Sequence, residues 1–181
     1  MGAAFALFFG GGGAILGAPD RLLPLFVVSL LTAGIGFLLH ELAHKVVAVT
    51  FGQEAAFRAN YRMLGLAIFV ALGGIIFAAP GAVYHRGYIS ERENGIIAVA
   101  GPVTNLLLAL GFLPLLFVSE PFVSQLGAYG VLINCFLAAF NMLPFGPLDG
   151  RKVLDWDPVV FAAALGISVL ATAFSVWWLF L

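Results

Sequence analysis

From Leu22 to Phe51 the chain runs for thirty residues in which every ionisable side chain falls within six consecutive positions, as His40, Glu41, His44 and Lys45. The run exceeds the about 20 apolar residues needed to cross a hydrocarbon core, so it reads as a membrane helix. Ionisable groups inside a span cost about 2.5 to 3.5 kcal/mol each on insertion scales, and three within five positions demand a compensating interaction. On a helix, residues four apart share a face. His40 and His44 can therefore bind one metal ion while Glu41 projects beside them toward a metal-bound water, the arrangement that hydrolysis requires.

The rest of the chain makes the same demand on its surroundings. Apolar runs also occupy Leu64 to Ala79, Gly95 to Val118, Gln125 to Phe145 and Pro158 to Leu181, with a shorter one from Ala3 to Leu16 broken by Gly10 to Gly13. Only 9% of the residues are charged, against about 25% in soluble domains, too few to build a polar surface. The expected fold class is an all-α polytopic membrane protein with about five to six transmembrane helices. No basic residue precedes the first apolar stretch, which is read as a short first span rather than a cleaved signal. A net charge of -1 gives no sign of nucleic acid. Cys135, the single cysteine, lies in an apolar run and is assigned to packing.

The segment Leu64 to Ala79 is too short for an ordinary span, contains Gly73-Gly74 and ends at Pro80-Gly81. If it dips in and returns, Lys45, Arg58, Arg62, Arg86, Arg92, Arg151 and Lys152 share one side and only Arg21 lies opposite. A crossing would split the eight basic residues five to three, a weaker positive-inside bias. A re-entrant or β-hairpin element between the HExxH helix and the next core helix is therefore expected. The N-terminus, the HELAH end of its helix and Asp149 then face the cytoplasm, and the C-terminus lies outside. Trp177 and Trp178 read as an interfacial belt, and Lys45 as a side chain snorkelling to the interface rather than pairing with Glu41.

Two histidines leave a hydrolytic zinc site short of one protein ligand. His85 and Asp149 are the candidates. His85 stands beside Arg86 in a polar segment, whereas Asp149 follows Pro144 and Pro147, which turn the chain, and precedes Gly150. A single crossing by residues 64–79 would leave Asp149 about 30 Å from the histidines, where ligand bonds are about 2 Å, so the re-entrant topology and the Asp149 assignment support one another.

His40-Glu41-Leu42-Ala43-His44 in a long helix, Gly101-Pro102-Val103-Thr104-Asn105 opening the next core helix, and Asn141-Met142-Leu143-Pro144 running into Pro147-Leu148-Asp149-Gly150 together resemble the site-2 protease family of intramembrane zinc metalloproteases. The resemblance covers roughly Leu22 to Arg151 and implies core helices at about 22–51, 95–118 and 125–149. It also implies one zinc ion per chain on His40, His44 and Asp149, with Glu41 as the catalytic base. Asn141 matches an asparagine that the family places near the site, and Asn141 or Asn105 is the candidate hydrogen-bond donor to substrate or oxyanion; the alternative for both is an interhelical contact, with Asn105 the more structural of the two. The chain departs from the common pattern at Arg151, where the family has a second glycine. It shows no PDZ domain between the core helices and no CBS domain, so residues 1–181 read as one transmembrane metalloprotease domain.

The expected activity is intramembrane zinc-dependent endoproteolysis, cutting in or near the transmembrane segment of membrane-anchored proteins in a prokaryotic cell membrane, with room for a regulatory membrane partner. The alternative is a catalytically inactive zinc-binding membrane protein that serves as a scaffold for other helices. A structural site would have no need of Glu41 and would close with a fourth ligand. A zinc or proton transporter would carry further acids or histidines in its other spans, and none occurs in the final helix.

Overall fold

The computed structural model describes residues 1–59, 61–76, 81–86 and 89–180, with backbone alone for 54–59, 81–86 and 180. Eight α-helices are found among them: α1 (Gly2–Phe9), α2 (Pro19–Ser29), α3 (Ile35–Thr50), α4 (Tyr61–Leu72), α5 (Glu91–Phe112), α6 (Pro121–Asn141), α7 (Asp149–Trp156) and α8 (Pro158–Phe180). A π-helical turn, Leu30–Gly34, fuses α2 and α3 into a single span, Pro19–Thr50. Together with Glu91–Phe117, Pro121–Asn141 and Pro158–Leu179 it makes four described helices long and apolar enough to cross a membrane. The protein is a helical, polytopic membrane protein.

The remaining apolar stretches do not form long helices. The N-terminal one breaks at its glycines into α1 and a short 3-10 segment, Gly12–Gly17. Ala4, Leu7 and Ile15 of this unit pack on Ala67 and Ala71 of α4, so the two short helices bury each other. A side chain at Gly12 would meet the Leu72 carbonyl oxygen at 2.5 Å, which is why the turn there is glycine.

Among the described residues of that segment, 64–76, there is no β-hairpin. The strands lie outside it, β1 (Glu54–Ala59) pairing antiparallel with β2 (Gly81–Arg86), and they bracket the helix α4. His44 of α3 meets Ile97 of α5 while Gly36, two turns earlier, meets Asn105, two turns later. The two helices are therefore antiparallel, and α5 starts at the end of the bundle where α3 stops.

Local chemistry fixes where α5 begins. Ser90 Oγ accepts from the Glu93 backbone N–H at 3.3 Å while Glu93 Oε2 accepts from the Ser90 N–H at 2.9 Å, a reciprocal capping box. Small residues then let the helices close up, as membrane bundles require in the absence of a hydrophobic drive. A Cβ at Gly130 of α6 would lie 2.2 Å from the Phe112 ring, and one at Gly95 of α5 would lie 2.4 Å from Trp156 of α7. Cys135 packs with Ala109 and Val131, in keeping with a packing role.

The third core helix ends at Asn141, short of position 149, because Pro144 and Pro147 cannot continue it and Gly146 takes a positive φ of 53°. Asp149 instead opens its own amphipathic helix, α7. Val153 of α7, Ala98 of α5 and Met142 form a buried cluster, over which Val160, Phe161 and Ala164 of α8 pack. That cluster clamps the start of α7 against α5.

Candidate metal centre

His40, His44 and Asp149 come together although 109 residues separate the first from the last. The three residues are 3%, 6% and 6% exposed. The two Nε2 atoms stand 3.0 Å apart, and Asp149 Oδ2 lies 3.2 Å from His40 Nε2 and 3.1 Å from His44 Nε2. The α-helical period puts the two rings on one face of α3, nearly perpendicular at 88°. The turn through Pro144, Gly146 and Pro147 delivers the carboxylate. A Cβ on Gly150 would come within 2.1 Å of the Met142 carbonyl oxygen, so the residue after the ligand has to be glycine for the turn to close. Arg151, where a second glycine was expected, points outward and pairs with Asp155 at 3.0 Å. Lys152 Nζ reaches the other carboxylate oxygen of Asp149, Oδ1, at 3.4 Å.

The hydrogen bonds behind the rings determine what faces forward. His44 Nδ1–H donates to the Ile97 carbonyl at 2.7 Å, and His40 Nδ1–H donates to Asn105 Oδ1 at 2.6 Å. With both Nδ1 atoms protonated, both Nε2 atoms present lone pairs. Two lone pairs and a carboxylate oxygen at about 3 Å from one another, buried, repel unless a cation lies among them. Two ligand atoms each about 2.0–2.1 Å from one tetrahedral zinc stand about 3.3 Å apart, close to the separations found. Gly101 of α5 makes the space: a Cβ there would lie 2.5 Å from both Nε2 atoms. The residues present fit zinc.

Glu41 is 8% exposed, and its Oε2 is buried with no hydrogen-bond partner among the described residues. Lys45 is exposed, and no ion pair joins it to Glu41 among the described residues. His85 lies in β2 opposite Ala55, and its side chain falls outside the described atoms. Asn141 is half-buried at the end of α6 and donates to the Leu137 carbonyl at 2.9 Å.

Asn105 takes the structural, interhelical role rather than that of an oxyanion donor. It is completely buried, its Oδ1 accepts from His40, and its Nδ2 donates to Asn134 Oδ1 at 2.9 Å and to the Gly36 carbonyl at 3.3 Å. Both amide hydrogens are committed, which leaves none for an oxyanion. Sequence reasoning missed Asn134, Gly36 and the Ile97 carbonyl. Asn134 carried a signal, since an amide in the middle of an apolar span needs a partner on another helix.

Four apolar membrane helices with a buried His-His-carboxylate group, contributed by an HExxH motif and a distant aspartate, define an integral membrane metalloprotein. Comparison with known proteins agrees and goes further. MJ0611 of Methanocaldococcus jannaschii, provisionally named a zinc metalloprotease, is 44% identical over 152 residues, covering 82% of this chain and 80% of its own length. YwhC of Bacillus subtilis, with the same provisional name, is 31% identical over 76% of this chain and 70% of its own length. Rip2 of Mycobacterium tuberculosis, again so named, is 32% identical over 65% of this chain and 52% of its own length. No family model and no solved structure matches the chain. The chain belongs to the zinc metalloprotease family that MJ0611 and YwhC represent. Those relatives are named for zinc, and the His40, His44 and Asp149 group is where this chain can hold such an ion.

Proposed function

We propose that this protein is an intramembrane endopeptidase of the site-2 protease type, cutting peptide bonds in or beside the transmembrane segment of membrane-anchored proteins. One observation carries the reading: a buried three-residue metal group and, one position from its first histidine, a glutamate whose Oε2 has no partner among the described residues, both set in a membrane-spanning bundle. Three protein ligands leave the fourth position of a tetrahedral site open, the pattern of catalytic rather than structural zinc.

His40, His44 and Asp149 hold the ion. Bound zinc supplies Lewis acidity, polarising a carbonyl and bringing the pKa of coordinated water to about 7. Glu41 accepts a proton from the attacking water on its free carboxylate oxygen and passes it to the departing amine nitrogen. Asn141, whose amide has a second hydrogen beyond the one given to Leu137, is the donor assigned to the substrate backbone or the developing oxyanion. The three core helices with α7 make up the protease unit.

The active site faces the cytoplasm in this reading. The basic residues at the site's end of the bundle, from Lys45 to Lys152, outnumber Arg21, which stands at the start of α2. Relatives from an archaeon and from bacteria support a prokaryotic cell membrane.

The test is zinc content and cleavage of a single-span substrate in detergent for the wild type, Glu41→Gln and Asp149→Ala. Glu41→Gln should keep zinc and lose cleavage by about 100-fold or more, and Asp149→Ala should lose both. Wild-type protein that binds zinc but cleaves no faster than Glu41→Gln or a protein-free control would replace the protease with the zinc-binding scaffold, and cleavage by Glu41→Gln at a measurable wild-type rate would remove Glu41 as the base.

A further inference from the structure

Behind the ligand His40 runs a directed chain of hydrogen bonds that ends on backbone. His40 Nδ1 meets Asn105 Oδ1 at 2.6 Å, Asn105 Nδ2 meets Asn134 Oδ1 at 2.9 Å, and Asn134 Nδ2 meets the Gly130 carbonyl at 2.9 Å. A second carbonyl, that of Gly36, accepts from Asn105 Nδ2 at 3.3 Å. Both asparagines are 0% exposed. A Cβ at Gly36 would fall 2.5 Å from Asn134 Oδ1, so the glycine exists to let this contact form.

Direction matters because a backbone carbonyl only accepts. The Gly130 carbonyl obliges Asn134 to turn its NH2 toward it and its oxygen toward Asn105. That oxygen and the Gly36 carbonyl then oblige Asn105 to present its NH2 to them and its own oxygen to His40. An acceptor at that place requires His40 Nδ1 to carry the proton, which leaves Nε2 with the lone pair that a metal needs.

We infer that Asn134 is a positioning residue of the metal centre: acting through Asn105, it selects the metal-binding tautomer of His40. The inference rests on the assignment of His40 as a zinc ligand. Asn134 touches neither metal nor substrate, and α6 thereby takes part in a site whose ligands come from α3 and α7. The alternative, an amide that merely glues α6 to α5, needs contact but no direction.

Two variants separate the two roles. Asn134→Leu keeps the branched four-atom skeleton of the side chain and removes its donor and its acceptor. Asn134→Asp, held neutral by burial in the bundle, restores the pattern, with its carbonyl oxygen accepting from Asn105 and its O–H donating to Gly130. The measurements are zinc affinity by chelator competition in detergent and the protonation of His40 nitrogens by 15N NMR in the metal-free protein. Asn134→Leu should bind zinc about 10- to 100-fold more weakly and show His40 protonated partly on Nε2. Asn134→Asp should stay within a few-fold of wild type on both. Zinc affinity and tautomer unchanged in Asn134→Leu, or Asn134→Asp as impaired as Asn134→Leu, would overturn the inference. If the wild type itself bound no zinc, the metal centre would fall, and the tautomer in the metal-free protein would still decide the relay.

Discussion

Gly101→Ala adds one methyl group at the point where α5 crosses the two histidines. The new Cβ would lie 2.5 Å from His40 Nε2, 2.5 Å from His44 Nε2 and 2.6 Å from His40 Cε1, where ordinary contact begins at 3.4 Å. Either the nitrogens retreat by about 0.9 Å or α5 moves off by that much, against a tolerance in metal–ligand distances of about 0.2 Å. Retreat of the rings breaks the ligand triangle. Movement of α5 stretches the 2.7 Å bond from His44 to Ile97 and the 2.6 Å bond from His40 to Asn105. Both routes strike the metal, so the expected loss of zinc affinity is at least about 100-fold, or about 2.7 kcal/mol. Gly111→Ala is the control. It lies in the same helix with nothing within 4 Å of its Cβ, and there alanine should be neutral or stabilising by about 0.5–1 kcal/mol. The assay is zinc affinity by chelator competition in detergent, with the thermal midpoint measured in parallel. Wild-type zinc affinity in Gly101→Ala would refute the close approach of α5 to the ligands and the site geometry built on it.

Other perturbations follow from the same contacts. Asp149→Ala removes the ligand that faces both Nε2 atoms and should bring zinc stoichiometry to background in metal analysis while the helical circular dichroism persists. In Gly150→Ala the Cβ meets two backbone oxygens, those of Met142 and Leu143, at 2.1 and 2.7 Å. It should cost about 1–3 kcal/mol in stability and weaken zinc binding together with it, both read in one thermal titration. Ser90→Ala deletes the side-chain acceptor that starts α5 and should cost about 1 kcal/mol, lowering the thermal midpoint with zinc stoichiometry unchanged. Zinc that binds only the folded chain stabilises it by about 4 kcal/mol when free metal is 1,000 times the dissociation constant. Chelation should therefore lower the midpoint of the wild type and leave that of Asp149→Ala where it was.

The membrane helices were legible because lipid punishes polar backbone and side chains over a fixed length, so runs of about 20 apolar residues carry their own meaning. The histidines of the candidate metal group were legible for a related reason: with Glu41 between them, they are too costly in a span to be there without a function. Asp149 needed a further step, the requirement that a third ligand lie at the same depth, and the antiparallel α3 and α5 satisfy it. The secondary structure of residues 61–86 was not legible. Twelve residues of α4 flanked by two six-residue strands carry no decisive period, and pairing between β1 and β2 is a long-range choice that local sequence does not encode. Asn105 was found but its direction was not, since whether an amide faces a substrate or a neighbouring helix depends on Gly36 and Asn134, which only the packing brings alongside.

The direction of the hydrogen bonds shows how such a site is built inside a bundle. The Nδ1 bonds of His40 to Asn105 and of His44 to Ile97 turn both Nε2 lone pairs toward Asp149, so the group offers two imidazole nitrogens and one carboxylate oxygen to a divalent cation. Lys152 stands at the rim, on the other oxygen of the same carboxylate. A His40 with its proton on Nε2 would have no lone pair to offer a metal. The hydrogen bonds that set the tautomer therefore belong to the machinery as much as the ligands do, which ties the directed amides of α5 and α6 to metal retention.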